Sequence, residues 1–203
     1  MKDFASLAGR VDAVVVGASA GGVEALCEIL PAVPARLRPP ILIVLHLPRD
    51  RPSLLADIFR TRCRRPVQEP MDKEPIEPGT VYVAPPDYHM LVDEGPQVSL
   101  SDDDLVNFSR PSVDVLFQSA ADFYGDRLLG IILTGANEDG AEGLAAVHAA
   151  GGVTVVQDPA SAQAPYMLVS AMKRTQPDFV LSLAEIANLL GALEAREGAR
   201  EGG

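Results

Sequence analysis

The fold is decided by residues 11–26, which read VDAVVVGASAGGVEAL. Three consecutive valines, Val14–Val16, are apolar and β-branched, a pattern typical of a strand that is buried on both faces. Residues 23–30 then have the apolar spacing of a helix that packs by one face. Three glycines lie between the valines and this helix, and they bracket Ser19. The stretch therefore predicts a strand, a tight turn that carries a serine, and a helix.

Three interpretations of this turn compete. Residues 17–21, GASAG, fit the G-x-S-x-G pattern of a nucleophile elbow, in which a sharp turn exposes the serine hydroxyl. A glycine-rich turn with an idle serine is the simplest alternative. A dinucleotide-binding turn would need glycine where this chain has Ser19, and an acidic residue about 20 positions later. Residues 31–40 contain four prolines and no acid. A nucleophile is therefore favoured over a nucleotide-binding turn, and a turn with an idle serine remains the alternative.

Composition narrows the class of protein. The 203 residues are 47% hydrophobic and 22% charged, which is ordinary for a globular domain. The net charge of −11 argues against nucleic acid as a partner. The sequence contains no apolar run near the roughly 20 residues of a membrane span, and its first residues lack the apolar core of a signal peptide. We therefore expect a cytoplasmic protein without membrane insertion.

The order of apolar segments predicts the architecture. Further buried strands are expected at residues 41–45, 130–133 and 153–156, with helical patterns between them. This alternation predicts an α/β fold of three αβα layers around a mostly parallel, doubly wound sheet. Short strand candidates within residues 66–110 are separated by Pro, Gly and Asp clusters, which predicts a hairpin-rich insertion. We expect one domain over residues 1–203, with a core at about 11–193 and a disordered polar tail.

Three strand ends carry reactive residues. In parallel sheets the active site lies outside the carboxyl ends of the strands. There the first strand leads to Ser19, the second to His46, and the third to a loop that contains Glu138 and Asp139. A serine needs a base and the base needs an orienting acceptor, so His46 is the natural base and either acid could orient it. The order Ser, His, Asp differs from that of α/β-hydrolases and weakens that assignment.

Other polar candidates have structural interpretations. The chain has only three histidines. His89 is expected to be structural or to form a rim on a hairpin, and His148 to be half-buried within a helix. Residues 110–114, RPSVD, are sufficiently explained as a helix N-terminus with a cap and a proline at the helix start. The two cysteines, Cys27 and Cys63, form no C-x-x-C pair, so a zinc ribbon or redox centre is unsupported. A serine nucleophile with a histidine base needs no metal and no cofactor, and we expect neither.

Four motifs occur in order along nearly the whole chain: GASAGG at 17–22, HLP at 46–48, RPSVDVLF at 110–117, and LTG at 133–135 followed by DGA at 139–141. Together they resemble the catalytic domain of the bacterial chemotaxis protein-glutamate methylesterases (CheB-type). The resemblance implies a catalytic triad of Ser19, His46 and Asp139. It also implies hydrolysis of glutamyl γ-methyl esters on the cytoplasmic helices of chemoreceptors, with glutamine deamidation by some members.

The rest of the expected site is less sharply defined. Backbone amides of Ala20 and Gly21, at the start of the first helix, and of Ala136 are expected to form the oxyanion hole. Arg110 and Ser112 are expected to contact the substrate.

The chain departs from the family pattern in four places. Ala20 stands where Thr is common, and Leu168 follows Met167 where a Met-Pro pair is expected. The loop 134–140 reads TGANEDG, whereas the family commonly has TGMGNDG. No phosphorylatable receiver domain precedes Met1, so we expect activity without phosphorylation, and a separate regulatory protein stays open. The alternative function is a receptor- or partner-binding module of the same fold with weakened catalysis.

Overall fold

The computed structural model describes residues 4–46 and 54–194. These residues form nine strands and six α-helices, joined by short 3₁₀ turns and loops. The strands are β1 (Ala13–Ala18), β2 (Ile41–Leu45), β3 (Val67–Gln68), β4 (Val81–Val83), β5 (His89–Asp93), β6 (Gln97–Ser101), β7 (Leu128–Ile132), β8 (Val153–Gln157) and β9 (Phe179–Leu181). The helices are α1 (Gly22–Ile29), α2 (Leu55–Arg60), α3 (Val113–Tyr124), α4 (Ala141–Ala149), α5 (Tyr166–Arg174) and α6 (Leu183–Ala192).

Seven strands form one parallel sheet in the order β3-β4-β2-β1-β7-β8-β9. The first strand lies between β2 and β7, where the winding of the chain reverses direction. The predicted α/β fold with a doubly wound parallel sheet is therefore confirmed. In such sheets the crevice at the reversal point, at the carboxyl ends of the strands, is where ligands bind. The reversal places the ends of β1, β2 and β7 side by side.

Helices cover both faces of this sheet. Val14 and Val16 point into the core under α1, α2 and α6, whereas Val15 points into the core under α3, α4 and α5. All three valines are almost completely buried. This explains why the run is apolar at every position, since a strand with both faces covered has no solvent-facing side. No helix in the described ranges is both long and apolar enough to cross a lipid bilayer.

The hairpin-rich insertion is smaller than predicted. Among the strands that the structure describes, β5 and β6 alone pair as an antiparallel hairpin, and its buried face packs against α3. Strands β3 and β4 instead extend the main sheet in parallel, with Val81 opposite Ile41 of β2. The reason is burial, because every residue of β4 is covered on both faces. The predicted disordered tail lies mostly outside the described residues, which end at position 194.

Candidate active site

The turn after β1 is fixed by close packing at its glycines. Gly21 has a φ of 78°, in the left-handed region that favours glycine, and it precedes α1. A β-carbon at Gly17 would lie 2.3 Å from Cγ1 of Val113, and one at Gly22 would lie 2.5 Å from Cδ1 of Leu45. Glycine is therefore needed at 17 and 22 for space and at 21 for conformation. These contacts hold Ser19 at the end of β1.

Hydrogen bonds join this turn to the loop that follows β7. The amide of Ser19 donates to the carbonyl of Thr134 at 2.9 Å, and the Thr134 hydroxyl donates to the carbonyl of Ala20 at 2.9 Å. A β-carbon on Gly135 would come within 3.0 Å of the Ser19 β-carbon. The amide of His46 donates to Ala18 at 3.1 Å. The structure thus brings Ser19, His46 and the acidic loop to one edge of the sheet.

Asp139 binds His46 from a buried position. Nε2 of His46 lies 2.8 Å from Oδ2 of Asp139, and the side chains are 12% and 0% exposed. The carboxylate lies at the N-terminus of α3, where it accepts hydrogen bonds from the Ser112 hydroxyl at 2.7 Å and from the amides of Val113 at 2.6 Å and Asp114 at 3.1 Å. It takes the place of a helix cap.

The ionisation of Asp139 determines the tautomer of the imidazole. Burial alone would raise the pKa of Asp139, but the hydrogen bond and charge of His46, with the donors Val113 and Ser112, outweigh it and hold the pKa below its usual value. An ionised carboxylate only accepts hydrogen bonds. Nε2 of His46 must therefore carry a proton, and in the neutral ring the lone pair is on Nδ1.

A second buried acid, Asp114, faces Asp139. Its Oδ1 accepts the amides of Gly140 at 2.9 Å and Gly143 at 2.6 Å, so it caps the start of α4. Asp139, which precedes α4, thus caps α3, and Asp114, which lies in α3, caps α4. The side-chain amide of Asn107 donates to Oδ2 of Asp114 at 2.7 Å and to Oδ1 of Asp139 at 3.3 Å. Burial and the charge of Asp139 raise the pKa of Asp114 to about 6, although its amide partners oppose the change.

We expect Asp114→Asn to change how stability depends on pH. Asp114 has a pKa of about 6 in the folded protein and about 3.9 when unfolded. Between these values the folded chain binds more protons, so its stability falls as the pH rises. Asparagine removes that effect. The free energy of unfolding of the variant, relative to wild type, should increase between pH 4 and pH 7 by up to about 3 kcal/mol.

Urea unfolding at several pH values measures this difference. The lowered pKa of Asp139 has the opposite effect, in which stability is lost as pH falls, but it acts below about pH 4, outside this window. Glu138→Gln, an exposed change on the neighbouring loop, serves as the control. Stability curves that stay parallel for wild type and Asp114→Asn would contradict a raised pKa at Asp114.

Nδ1 of His46 already has a neighbour. The side-chain Nδ2 of Asn137 lies 2.9 Å from it, and since Nδ1 holds the lone pair, Asn137 is the donor. The other side-chain atom of Asn137, Oδ1, is buried and has no hydrogen-bond partner in the described structure. The Ser19 hydroxyl makes no hydrogen bond to another described residue. In this arrangement the loop after β7 contacts both nitrogens of the imidazole.

The amides expected in the oxyanion hole are free of acceptors. Across residues 4–46 and 54–194, none accepts a hydrogen bond from the backbone N–H of Ala20, Gly21 or Ala136. Ala20 and Ala136 are exposed, and Gly21 is half-buried. Ala20 and Gly21 follow Ser19 in the chain, and Ala136 follows Gly135, whose added β-carbon would lie 3.0 Å from that of Ser19. An oxyanion that formed beside Ser19 would find unpaired donors there.

The two residues expected to contact substrate, Ser112 and Arg110, both have hydrogen-bond partners within the chain. Ser112 is fully buried and its hydroxyl donates to Asp139, so it cannot reach a substrate. Arg110 donates to the carboxylate of Asp87 and to the carbonyls of Asp102 and Asp103, which joins the loops around the β5–β6 hairpin. Ser112 therefore supports Asp139 from behind, whereas substrate contact by Arg110 stays a prediction. The sequence did not show that Ser112 is buried, because its burial depends on packing against Asp139, 27 positions later in the chain.

The other two histidines lie outside the chemistry. His89 is 2% exposed. Its ring contacts the carbonyl of Asp104 at 3.1 Å and accepts the amide of Ser112 at 3.2 Å, which agrees with the predicted structural role. His148 was predicted to be half-buried but is exposed, near the end of α4. Among the described residues, no group of His, Cys, Asp and Glu side chains is arranged to hold a metal ion.

Known proteins share this fold and sequence. The crystal structure of the Thermotoga maritima CheB methylesterase catalytic domain superposes with a TM-score of 0.85 at 32% identity, covering 90% of this chain and 98% of that one. A family model described as CheB methylesterase matches residues 14–190. The chain belongs to the CheB methylesterase family. A relative from Leptospira interrogans is 45% identical over 183 residues, which cover 90% of this chain and 95% of the relative.

Other relatives in the family are longer. A Rhizobium johnstonii protein named "Protein-glutamate methylesterase/protein-glutamine glutaminase 2" is 42% identical over 177 residues. The match covers 86% of this chain but only 48% of that protein, so this chain spans about half of its length. The part of that protein that matches this chain is therefore about half of it.

The sequence did not identify three residues that the structure adds to the site. Asn107 bridges the two acids, Asp114 caps α4, and Asn137 contacts the imidazole. The departure of the loop 134–140 from the usual family sequence was the one available signal for Asn137. Nothing in the sequence indicated that Asn107, more than 30 residues before Asp139, would reach it.

Proposed function

We propose that this member of the CheB methylesterase family is a protein-glutamate methylesterase with Ser19 as nucleophile, His46 as base and Asp139 as the orienting acid. The observation that supports this most directly is the 2.8 Å contact between Nε2 of His46 and the fully buried Asp139. It lies at the same sheet edge as the serine turn. An imidazole oriented by a buried carboxylate next to an exposed serine turn is the arrangement needed for acyl transfer.

Acylation follows from this geometry. The Ser19 oxygen attacks the ester carbonyl carbon while Nδ1 of His46 accepts the hydroxyl proton. The negative charge on the carbonyl oxygen is stabilised by the unpaired amides of Ala20, Gly21 and Ala136. When the intermediate collapses, the C–O bond to the methoxy group breaks, and the imidazolium returns its proton to that oxygen. Methanol leaves, and the glutamyl group remains as an ester on Ser19.

Deacylation repeats the same steps with water. His46 accepts a proton from a water molecule, whose oxygen attacks the acyl-enzyme carbonyl, and the proton then goes to the departing Ser19 oxygen. The product is a glutamate carboxylate. A glutamine side chain follows the same path with ammonia as the leaving group, which corresponds to the second activity in the name of the Rhizobium relative.

The proposed substrate is a glutamyl γ-methyl ester on the cytoplasmic helices of a chemoreceptor. This assignment places the protein in the cytoplasm and treats residues 11–193 as one catalytic domain. A separate regulatory protein is compatible with it. The alternative, a binding module with weakened catalysis, is not favoured, because the relatives carry enzyme names and His46 and Asp139 keep their contact.

Methanol release from methylated receptor membranes tests the proposal. The wild-type protein should release methanol and should be labelled at Ser19 by a fluorophosphonate, a probe that reacts with activated serines. Binding to the membranes without methanol release and without labelling would instead support the binding module. Parallel measurement of ammonia from receptor glutamines determines whether deamidation occurs as well.

A further inference from the structure

The base nitrogen of the proposed triad is occupied by Asn137. Because Asp139 holds the proton on Nε2, Nδ1 carries the lone pair that must accept the serine proton. Nδ2 of Asn137 lies 2.9 Å from Nδ1 and donates to it. A lone pair that already accepts a hydrogen bond is not available to Ser19. We call this Asn137–His46 interaction the blocking contact.

The blocking contact is incomplete on the side of Asn137. Its Oδ1 is buried and has no hydrogen-bond partner among the described residues. A buried carbonyl without a partner loses its hydration and gains nothing in return. The blocking contact therefore carries a free-energy cost, which movement of the Asn137 side chain toward solvent would relieve. The contact is suited to open and close rather than to stay fixed.

Asn137 lies in the loop that contains Asp139 and contacts Ser19, the two residues with which His46 must work. It lies two residues before Asp139, in the loop that also approaches Ser19 through Gly135. Among the residues that the structure describes, the charged groups near the ring are Asp139 on Nε2 and Asp114 behind it, while Glu138 is exposed on the same loop. Neither buried acid reaches Nδ1 in the hydrogen-bond network. Asn137 is therefore the side chain placed to control that nitrogen.

We propose that Asn137 is a positioning residue that holds Nδ1 of His46 in the resting enzyme and must be displaced before Ser19 can react. This inference rests on the proposed function, since it assumes that Ser19 is the nucleophile. Two consequences follow. Removing the Asn137 side chain should make Ser19 react faster. It should also make Nδ1 easier to protonate, because the donor that stabilised the neutral ring is gone, so the acid limb of the activity profile should move to higher pH.

The experiment compares four variants with wild type. The rate of fluorophosphonate labelling at Ser19 and the hydrolysis of p-nitrophenyl acetate are measured from pH 5 to pH 9. Asn137→Ala and Asn137→Gly, which restores the residue common in the family loop, should label about five times faster at pH 8, because Nδ1 no longer accepts a hydrogen bond from residue 137 and is free to accept the serine proton. Asn137→Asp has the same shape but can only accept a hydrogen bond. It should stabilise the protonated ring and label more slowly than wild type at pH 7. Glu138→Gln should neither accelerate labelling nor move the acid limb.

A second measurement reports the contact without using activity. ¹⁵N NMR of the imidazole, assigned with His46→Gln, should show the Nε2–H tautomer in wild type and a changed Nδ1 shift in Asn137→Ala. An unchanged Nδ1 shift would overturn the blocking contact. If wild type is labelled at Ser19 but both Asn137→Ala and Asn137→Gly are no faster, the inference fails and the proposed function stands. If Glu138→Gln accelerates labelling equally, a general loosening of the loop explains the result and the inference is overturned. If no protein is labelled at Ser19, the proposed function fails and the inference fails with it.

Discussion

Ser19→Ala should abolish ester hydrolysis and leave the fold intact. The Ser19 hydroxyl makes no hydrogen bond to another described residue, so its loss leaves no buried partner unsatisfied. The turn is held instead by the Ser19 amide on Thr134 and by the packing of its glycines. Loss of the nucleophile in a well-studied serine protease lowers kcat by about 2 × 10⁶-fold, and we expect a loss of that order here.

The measurement is kcat with p-nitrophenyl acetate and with methylated receptor membranes, alongside urea unfolding. The free energy of unfolding should change by no more than about 0.5 kcal/mol, the usual range for a substitution away from the core. Ser112→Ala is the matched control. It removes a buried hydroxyl that donates to Asp139 at 2.7 Å, so it should cost stability of about 1–3 kcal/mol while some turnover remains. Near-normal turnover by Ser19→Ala would show that another group is the nucleophile.

The central strands could be predicted because burial dictates their composition. Strands β1, β2, β7 and β8 have both faces covered, and each appears in the sequence as an apolar run within two residues of its observed bounds. A residue that follows such a run lies just beyond the carboxyl end of its strand, where the active sites of parallel sheets lie. Ser19 and His46 could be identified for this reason. The same reasoning predicted β3 and β4 as short strands but did not place them in the main sheet. They have two and three residues, and their pairing depends on which distant strand they meet.

Sequence patterns could not predict the hydrogen bonds of the two buried acids, Asp114 and Asp139. Asp114 looks like an ordinary acid in the first turn of α3, and its role as the cap of α4 exists only because two helices start side by side. Ser112 looks like a helix cap, yet the structure gives that place to the carboxylate of Asp139. Such contacts join residues more than 20 positions apart through side-chain directions that no local pattern encodes.

Asp139→Asn should lower kcat by several orders of magnitude, whereas Glu138→Gln should lower it by about tenfold or less. Both acids follow β7, but the structure treats them differently. Asp139 is fully buried and contacts Nε2 of His46, while Glu138 is exposed. We expect the difference because only the buried carboxylate can determine which ring nitrogen carries the proton.

The donors that surround the carboxylate determine the effect of Asp139→Asn. One oxygen accepts from His46 and the Val113 amide, and the other accepts from Ser112, the Asp114 amide and Asn107. Every position around it presents a donor, so the NH₂ of an asparagine must face a donor whichever way it is turned. Turned toward His46, it forces the lone pair onto Nε2 and the proton onto Nδ1, and the base is lost.

Turned the other way, the asparagine NH₂ opposes the Asp114 amide and the Ser112 hydroxyl, and the ring keeps a weaker, uncharged partner. In the serine-protease triad the corresponding change lowers kcat about 10⁴-fold, and we adopt that scale. Losing a buried carboxylate at the N-terminus of α3 should also destabilise the fold by about 1–3 kcal/mol. Activity must therefore be measured where circular dichroism shows both variants to be folded. If Glu138→Gln proves the more damaging change, Glu138 orients the base and the role carried over to Asp139 from the family is wrong.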